Sequence, residues 1–340
     1  MCLMMQSFSD TQGRHISYLR VSVTDRCDMR CVYCMSEDMV FLPRDDVLSF
    51  EEMERLCGVF IRSGVRRMRI TGGEPLVRRD VLGFFTSLGT WLGRPAGQPG
   101  LDELTLTTNG SLLAEYADGL RRAGVRRVNV SLDSLDPARF AAVTRRGKLD
   151  KTLAGVKAAR AAGLDVRINT VAMAGVNDDE FDDLIRWCGE VGTDLCLIET
   201  MPMGNVGEDR AERYLPLSRV RTDLARRWTL EPVAHRTGGP ARYVRIAETG
   251  RRLGFITPMT HNFCDTCNRV RLSCTGTLYT CLGQEDQCDL RGPLRDGATD
   301  TMLTRLIADA VARKRKGHDF LIDPAVRERG PARLMSVTGG

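Results

Sequence analysis

Three cysteines near the amino end of the chain have the spacing of an iron–sulfur ligand set. Cys27, Cys31 and Cys34 lie in the segment Thr-Asp-Arg-Cys-Asp-Met-Arg-Cys-Val-Tyr-Cys. Iron in such clusters is typically held by cysteine thiolates, and four would close a [4Fe–4S] cube. Three thiolates leave one iron open, so that this iron can chelate a small molecule. The alternative is zinc, which usually takes four ligands in CxxC pairs.

A second set of three cysteines lies near the carboxyl end, as a CxxC pair followed by a third cysteine 14 residues later: Cys264, Cys267 and Cys281. Three ligands are again the natural count, but Cys274 and Cys288 are near in sequence. A closed zinc or iron–sulfur site is therefore the alternative. Arg269 and Arg271 would point to one face if this segment is a strand. Two guanidiniums beside a cluster suit a ligand that carries phosphate.

The elements that must position these cysteines form a repeated strand–helix pattern. Strands are predicted at residues 18–23, 66–71, 104–107, 127–132, 166–171 and 194–199. Six such repeats imply an α/β fold with parallel strands and right-handed crossovers. Six units are too few for a closed (β/α)8 barrel, so we expect a partial (β/α)6 TIM-like barrel over residues 1–215. Residues 216–340 change character, and we expect a smaller C-terminal α+β domain that carries the second cysteine set.

The first triplet follows the first strand, at the edge where barrel active sites assemble. Its CxxxCxxC spacing, with Tyr33 before the last cysteine, resembles the radical S-adenosylmethionine (SAM) superfamily, as does Gly72-Gly-Glu-Pro75. In that superfamily the open iron chelates SAM, and one electron from the cluster cleaves SAM to a 5′-deoxyadenosyl radical. Glycines at this position let the backbone approach the SAM amino group, and we expect Glu74 to add a charge-assisted contact.

A closer resemblance extends over nearly the whole chain. The matching segments include Leu19-Arg-Val-Ser-Val-Thr-Asp-Arg-Cys27, Arg69-Ile-Thr-Gly-Gly-Glu-Pro-Leu76, Phe263-Cys-Asp-Thr-Cys-Asn-Arg-Val-Arg-Leu272 and Met335-Ser-Val-Thr-Gly-Gly340. Together they resemble the GTP 3′,8-cyclase family of molybdenum cofactor biosynthesis. Two positions depart from the family pattern. Arg167 stands where the family has a lysine, and the strand with Cys196 lacks the usual aromatic residue.

The resemblance implies a role for each matching position. Two [4Fe–4S] clusters would be held, one by Cys27, Cys31 and Cys34 and one by Cys264, Cys267 and Cys281. SAM would be lined by Tyr33, Gly73, Ser131 and Met201. GTP would be contacted by Arg20, Arg69, Thr107, Arg167, Arg269, Val270 and Arg271. The catalytic set would be Arg269, Arg271 and the tail glycines Gly339 and Gly340, whose lack of side chains suits a tail that enters the active site.

The resemblance also implies a reaction and partners. The radical would abstract hydrogen from the GTP ribose C3′, and the C3′ radical would attack guanine C8. Reduction and protonation would give 3′,8-cyclo-7,8-dihydro-GTP, which a cyclic pyranopterin monophosphate synthase would convert further. A reductant such as flavodoxin or ferredoxin is expected, and a homodimer is an option. The alternatives are another radical SAM enzyme with an auxiliary cluster, such as a peptide maturase, and a zinc or iron–sulfur scaffold without catalysis.

Composition limits the other classes of function. The chain has 49 Lys and Arg against 44 Asp and Glu, and a net charge of +5 is too mild to indicate nucleic-acid binding. An apolar run near 18 residues is absent from the sequence, so no membrane span is expected. The start of the chain does not resemble a secretory signal, and a cytoplasmic location is expected. The basic run at residues 313–316 is expected to be a solvated helix end.

Overall fold

The strand–helix units form where the alternating sequence predicts them. The computed structural model describes residues 7–206, 210–323 and 327–339. Its first six strands are β1 Tyr18–Ser22, β2 Arg67–Thr71, β3 Glu103–Thr108, β4 Arg127–Ser131, β5 Asp165–Ala172 and β6 Asp194–Glu199. The helices between them are α1 Phe50–Arg62, α2 Val81–Gly89, α3 Leu113–Arg122, α4 Pro137–Thr144, α5 Leu149–Ala161 and α6 Phe181–Val191.

Side-chain caps explain several of these helix starts. Ser49 and Glu52 form a capping box at α1, since the side chain of each accepts a hydrogen bond from the other's backbone N–H. Asp136 accepts from Arg139 at the start of α4, with proline in the first turn. Asp80 precedes α2 in a left-handed conformation, φ 61°, but its side chain makes no cap bond.

The rest of the chain adds shorter elements. These are the helices α7 Arg210–Arg213, α8 Leu217–Leu224, α9 Arg291–Arg295, α10 Asp300–Ala312 and α11 Met335–Thr338. The strands are β7 Leu230–Pro232, β8 Arg242–Ile246, β9 Arg252–Ile256, β10 Arg269–Leu272, β11 Thr277–Tyr279, β12 Gln287–Asp289, β13 Leu321–Asp323 and β14 Arg327–Arg329. In the ranges that the structure describes, no helix is long and apolar enough to span a bilayer.

One sheet contains the first twelve strands, in the order β12-β11-β10-β1-β2-β3-β4-β5-β6-β9-β8-β7. The strands from β1 to β6 are parallel neighbours, which confirms the partial (β/α)6 barrel. Strand β10 adds in parallel beside β1, and β9 adds in parallel beside β6. The C-terminal region thus extends both edges of the barrel sheet. The division at residue 215 stays a prediction.

Candidate active site

The first cysteine triplet lies on the loop that follows β1, at the carboxyl edge of the parallel strands. The Gly-Gly-Glu-Pro segment after β2 is bonded to this loop: Gly73 N donates to Thr24 O at 2.7 Å, and Glu74 N donates to Arg26 O at 2.8 Å. A Cβ atom on Gly73 would lie 2.3 Å from Arg26 O, so only glycine fits there. The backbone of this motif therefore supports the cysteine loop through these two hydrogen bonds.

The three thiols of this loop are half-buried and free. Burial raises the pKa of the Cys34 thiol to about 11 and that of Cys31 well above its usual range. Neighbouring thiols raise the pKa of Cys31 further. Three thiolates this close to one another need cationic iron to offset their charge. The donor set therefore suits an iron–sulfur cluster bound by three cysteines.

The carboxylate of Glu74 is hydrogen-bonded within the protein. Its side chain is fully buried, and its carboxylate accepts from Leu76 N at 3.0 Å, Thr108 Oγ1 at 2.8 Å and Asn109 N at 2.6 Å. Burial raises its pKa to about 7 against these three hydrogen bonds. Glu74 therefore ties the end of β2 to the end of β3, and its expected contact with the SAM amino group stays a prediction.

Of the four residues predicted to line SAM, two lie in or against the cysteine loop and a third ends a strand of the same sheet. Gly73 packs beneath the loop, Ser131 ends β4, and Tyr33 lies within the triplet. The Tyr33 hydroxyl donates to Asp133 Oδ2 at 2.7 Å. Burial raises the pKa of Asp133 to about 6, although this bond favours its charged form. The fourth residue, Met201, lies deeper and lines the central cavity described below.

The second triplet lies at the opposite end of the same sheet. Cys264 and Cys267 come just before β10, and Cys281 follows β11, which runs antiparallel to β10. Since β10 is parallel to β1, these three cysteines lie at the amino-terminal ends of the parallel strands. At about 3.3 Å per residue, the five residues of β1 separate the two edges by about 16 Å. The two triplets therefore face each other along the barrel.

The surroundings of the second triplet favour the thiolate of Cys267, whereas burial raises the pKa of the Cys264 thiol. Burial raises the pKa of Cys267, but the charges of Arg269 and Lys314 outweigh it, so that the pKa falls to about 7. Cys274 and Cys288 lie elsewhere. Cys274 follows the carboxyl end of β10, where its carbonyl oxygen accepts from Leu48 N. Cys288 lies on β12, where it pairs with Leu278 of β11. Neither closes the set. In the described parts of the chain, no three His, Cys, Asp or Glu converge on one metal-ion position, so neither triplet is a preformed mononuclear site.

A row of arginines crosses the sheet between the triplets. The parallel register places Arg20 beside Arg271 on one side and beside Arg69 on the other. Arg20 and Arg271 are buried, and Arg20 Nε and Nη2 and Arg271 Nε have no hydrogen-bond partner. Burial lowers the pKa of Arg271 to about 10, and burial and the two neighbouring arginines lower that of Arg20. Within the described residues none of the three has an acidic partner. The row is therefore a site for an anion.

These arginines face a cavity of about 1060 Å³, part of it open to solvent. Cys264, Cys267 and Cys281 line the same cavity, as do Arg167 and Arg269. The guanidinium of Arg167 lies over the Tyr243 ring at 5.2 Å, and that of Arg269 over the Phe263 ring at 5.1 Å. The cavity therefore combines thiols with several guanidiniums, a lining that suits an anionic ligand.

Two of the residues predicted to contact GTP, Thr107 and Val270, differ in the face of the sheet on which their side chains lie. Thr107 is in register with Asn129, which is in register with Arg167, so it faces the barrel interior, and its Oγ1 is buried without a partner. Val270 alternates with the two arginines of β10, and its side chain lies in the hydrophobic core on the opposite face. Val270 can therefore reach a ligand only through its main chain.

The carboxyl-terminal tail enters the site. Met335 lines the cavity, and the main chain of Ser336 hydrogen-bonds Cys34 and lowers the pKa of that thiol. Gly339 has φ 71°, and a Cβ there would lie 2.2 Å from Thr71 Cγ2. Both observations require glycine at this position. Gly340, the other predicted tail residue, lies outside the described residues.

Sequence reasoning missed two polar residues of the cavity. Tyr18 lies two residues before Arg20, and its hydroxyl is buried without a partner. Asn169 lies two residues after Arg167, and its Oδ1 is likewise unpartnered. Since alternate residues of a strand share a face, extending the strand period from each arginine would have found both.

Comparison with known proteins agrees with this geometry. The model of the Radical SAM superfamily matches residues 21–188, and that of Molybdenum Cofactor Synthesis C matches residues 193–320. GTP 3′,8-cyclase of Rhodopseudomonas palustris (strain TIE-1) is 58% identical over 332 residues, which cover 98% of this chain and 95% of the relative. The chain belongs to the GTP 3′,8-cyclase family. GTP 3′,8-cyclase of Brucella suis biovar 1 is 57% identical, over 97% of this chain and 95% of the relative. The predicted family is thereby confirmed.

Solved structures support the fold. Streptococcus suis SuiB bound to precursor peptide SuiA has a TM-score of 0.59 and 16% identity, over 89% of this chain and 71% of that one. SuiB bound to S-adenosylmethionine has a TM-score of 0.57 and 16% identity, over 87% of this chain and 69% of that one. At this identity the likeness concerns the fold alone. The relatives at 57–58% identity therefore favour the cyclase family over the peptide-maturase alternative.

Proposed function

We propose that this chain converts GTP into 3′,8-cyclo-7,8-dihydro-GTP, the first step of molybdenum cofactor biosynthesis, with SAM and two [4Fe–4S] clusters. The observation that carries the proposal is the row Arg271, Arg20 and Arg69, which has no acidic partner in the described residues and lies between the two cysteine triplets, with Arg20 and Arg271 buried. A triphosphate supplies the negative charge that this row lacks. The family membership supports the same substrate.

The two triplets divide the chemistry between the ends of the cavity. Cys27, Cys31 and Cys34 would hold the first cluster, which when bound supplies the electron that cleaves SAM. Tyr33, Gly73, Ser131 and Met201 would position SAM. Cys264, Cys267 and Cys281 would hold the second cluster, whose open iron would take the guanine. Because the edges are about 16 Å apart, SAM and GTP placed on opposite clusters meet in the middle of the cavity.

The arginines would orient GTP between the clusters. Arg20, Arg69 and Arg271 would bind phosphate oxygens, and Arg269 sits next to the thiolates of the second triplet. Thr107 and Arg167 would contact GTP from the strands β3 and β5, and Val270 through its main chain. Fixed donors of this kind hold the ribose and guanine in one geometry, which is how an enzyme favours attack of C3′ on C8 over side reactions.

The tail glycine provides the first test of this arrangement. Replacing Gly339 by alanine should lower product formation at least tenfold, because the new Cβ would displace the tail from Thr71. Iron content should stay unchanged, since no cysteine moves. Gly83→Ala is the matched control, because Gly83 is exposed on α2 with open space around it. Equal activity of the two variants would contradict a role for the tail.

The reaction class, the location and the partners are proposals of the same kind. The enzyme would be of the lyase type and cytoplasmic, and a flavodoxin or ferredoxin would reduce it. Its product would pass to cyclic pyranopterin monophosphate synthase, and a homodimer is compatible with the fold. These proposals follow from the family resemblance and from the oxygen sensitivity of clusters held by thiolates.

Anaerobic reconstitution tests the function as a whole. We expect about eight irons per chain, since each [4Fe–4S] cube carries four. With a strong reductant the protein should cleave SAM faster with GTP than with ATP, and mass spectrometry should identify the cyclised nucleotide. Iron for a single cube, stoichiometric zinc, or SAM cleavage indifferent to GTP would overturn the proposal.

A further inference from the structure

A lysine near the second triplet is buried. Lys314 follows α10, in the basic run at residues 313–316, and only 3% of it is exposed. Arg313, Arg315 and Lys316 are exposed, as expected of a solvated helix end. The expectation is therefore wrong for Lys314 alone. A lysine is almost never fully buried without a partner, so this exception calls for an explanation from its contacts.

The Lys314 ammonium joins the two segments that carry the second cysteine set. Its Nζ donates to the carbonyl oxygen of Arg269 at 3.1 Å and to that of Thr280. Arg269 follows Cys267 by two residues, and Thr280 directly precedes Cys281. One side chain thus fixes the distance between the CxxC pair and the third cysteine.

The charge of Lys314 has no acidic partner in the described part of the chain. Two other cations donate to carbonyls of the same cysteines: Arg14 to Cys264 O at 2.6 Å, and Arg333 to Cys281 O at 3.1 Å. Both have an acid, since Arg14 pairs with Asp10 at 2.5 Å and Arg333 with Glu285 at 2.9 Å.

The charged and titratable groups that face Lys314 make clear what its charge can offset. The thiols of Cys267 and Cys281 attract it, whereas Arg14 and Arg271 repel it. The negative charge nearest to this ammonium is therefore that of the thiolates, and of a cluster bound to them.

We propose that Lys314 is a positioning residue of the second cluster, where it holds the two ligand segments together and offsets the negative charge of the cluster. The inference rests on the proposed second cluster. A cube with three thiolates is anionic in both redox states and becomes more so on reduction. A fixed cation beside it favours the reduced state, and its removal lowers the reduction potential.

The test separates the charge from the hydrogen bonds. Full-length protein in which Cys27, Cys31 and Cys34 are replaced by alanine isolates the second cluster for EPR. In this background we compare Lys314→Arg, Lys314→Gln and Lys314→Met, with Lys316→Met as the control for a surface lysine. The readouts are the midpoint potential, the rate of iron loss to a chelator, and circular dichroism as a check on folding.

We expect Lys314→Gln to shift the ratio of oxidised to reduced cluster at least about tenfold toward the oxidised form, a decrease of 59 mV for one electron. Lys314→Arg should stay closer to the parent in potential. Lys314→Met should also lose iron several times faster, because both carbonyl bonds are gone. Parent-like potential and iron retention in both Lys314→Gln and Lys314→Met would overturn the inference. Absence of a second cluster from the parent would instead overturn the proposed function.

Discussion

Replacing Arg20 by methionine is expected to weaken GTP binding by about ten- to hundredfold. Hydrogen bonds to charged groups contribute roughly 1.5–3 kcal/mol, and each 1.4 kcal/mol is tenfold in affinity. Arg20 lies in the middle of the row, between Arg271 and Arg69, and presents Nε and Nη2 without a partner in the protein. Isothermal titration calorimetry with GTP under anaerobic conditions measures the loss. SAM binding should change little.

The same substitution should raise the melting temperature of the protein without GTP. Arg20 buries a cation between two others, and both its desolvation and the repulsion oppose folding. An apolar side chain of similar length removes both the desolvation cost and the repulsion. The affinity for GTP and the stability of the fold should therefore change in opposite directions. Arg66→Met is the control, because Arg66 is part of a surface ion pair with Asp102 at 2.5 Å. A destabilised Arg20→Met protein with unchanged GTP affinity would show that the row is structural.

The barrel could be predicted because its signals are local. Each of the first six strands alternates apolar and polar residues, and its helix begins and ends at recognisable residues such as Ser49 and Gly163. A repeated strand–helix pattern admits few topologies, because parallel crossovers are right-handed. The parallel order from β1 to β6 followed from these rules.

The edges of the sheet could not be predicted in the same way. Strands β10 and β11 have four and three residues, too few for a period to be read. Strand β10 pairs with β1, about 250 positions earlier in the chain, and the sequence of neither strand indicates which strand it pairs with. Only the whole packed core selects this pairing. The arginines on β10, β1 and β2 could therefore be identified one by one from the sequence, but their alignment in a single row could not.

Buried polar residues set a second limit. Cysteine spacing indicates a cluster because the ligands are close in sequence, whereas Glu74 and Lys314 find their partners across the fold. Both were interpreted by their usual behaviour, Glu74 as a ligand contact and Lys314 as a solvated charge. Whether a charged side chain is buried depends on donors and acceptors that other segments bring, and the sequence around it does not record them.

Single cysteine substitutions should separate the two ends of the cavity. Cys31→Ala is expected to lose about half of the iron and all SAM cleavage, because the proposed first cluster would be held by only three thiolates. GTP binding should persist, since the arginine row and the second triplet are intact. Cys281→Ala is expected to lose the other half of the iron and to weaken GTP binding at least tenfold. Some SAM cleavage should continue, but without dependence on GTP.

The pair of variants decides more than either alone, because product formation should vanish in both. Only the measurements of GTP binding and SAM cleavage distinguish the two ends of the cavity. They can do so because about 16 Å of strand separates the two cysteine triplets. Cys288→Ala is the matched control: this half-buried thiol lies on β12, faces Arg313, Asp289 and Asp309, and should retain all iron and activity. If Cys31→Ala lost GTP binding as fully as Cys281→Ala, SAM and GTP would share one cluster, and the division of the cavity into a radical end and a substrate end would be wrong.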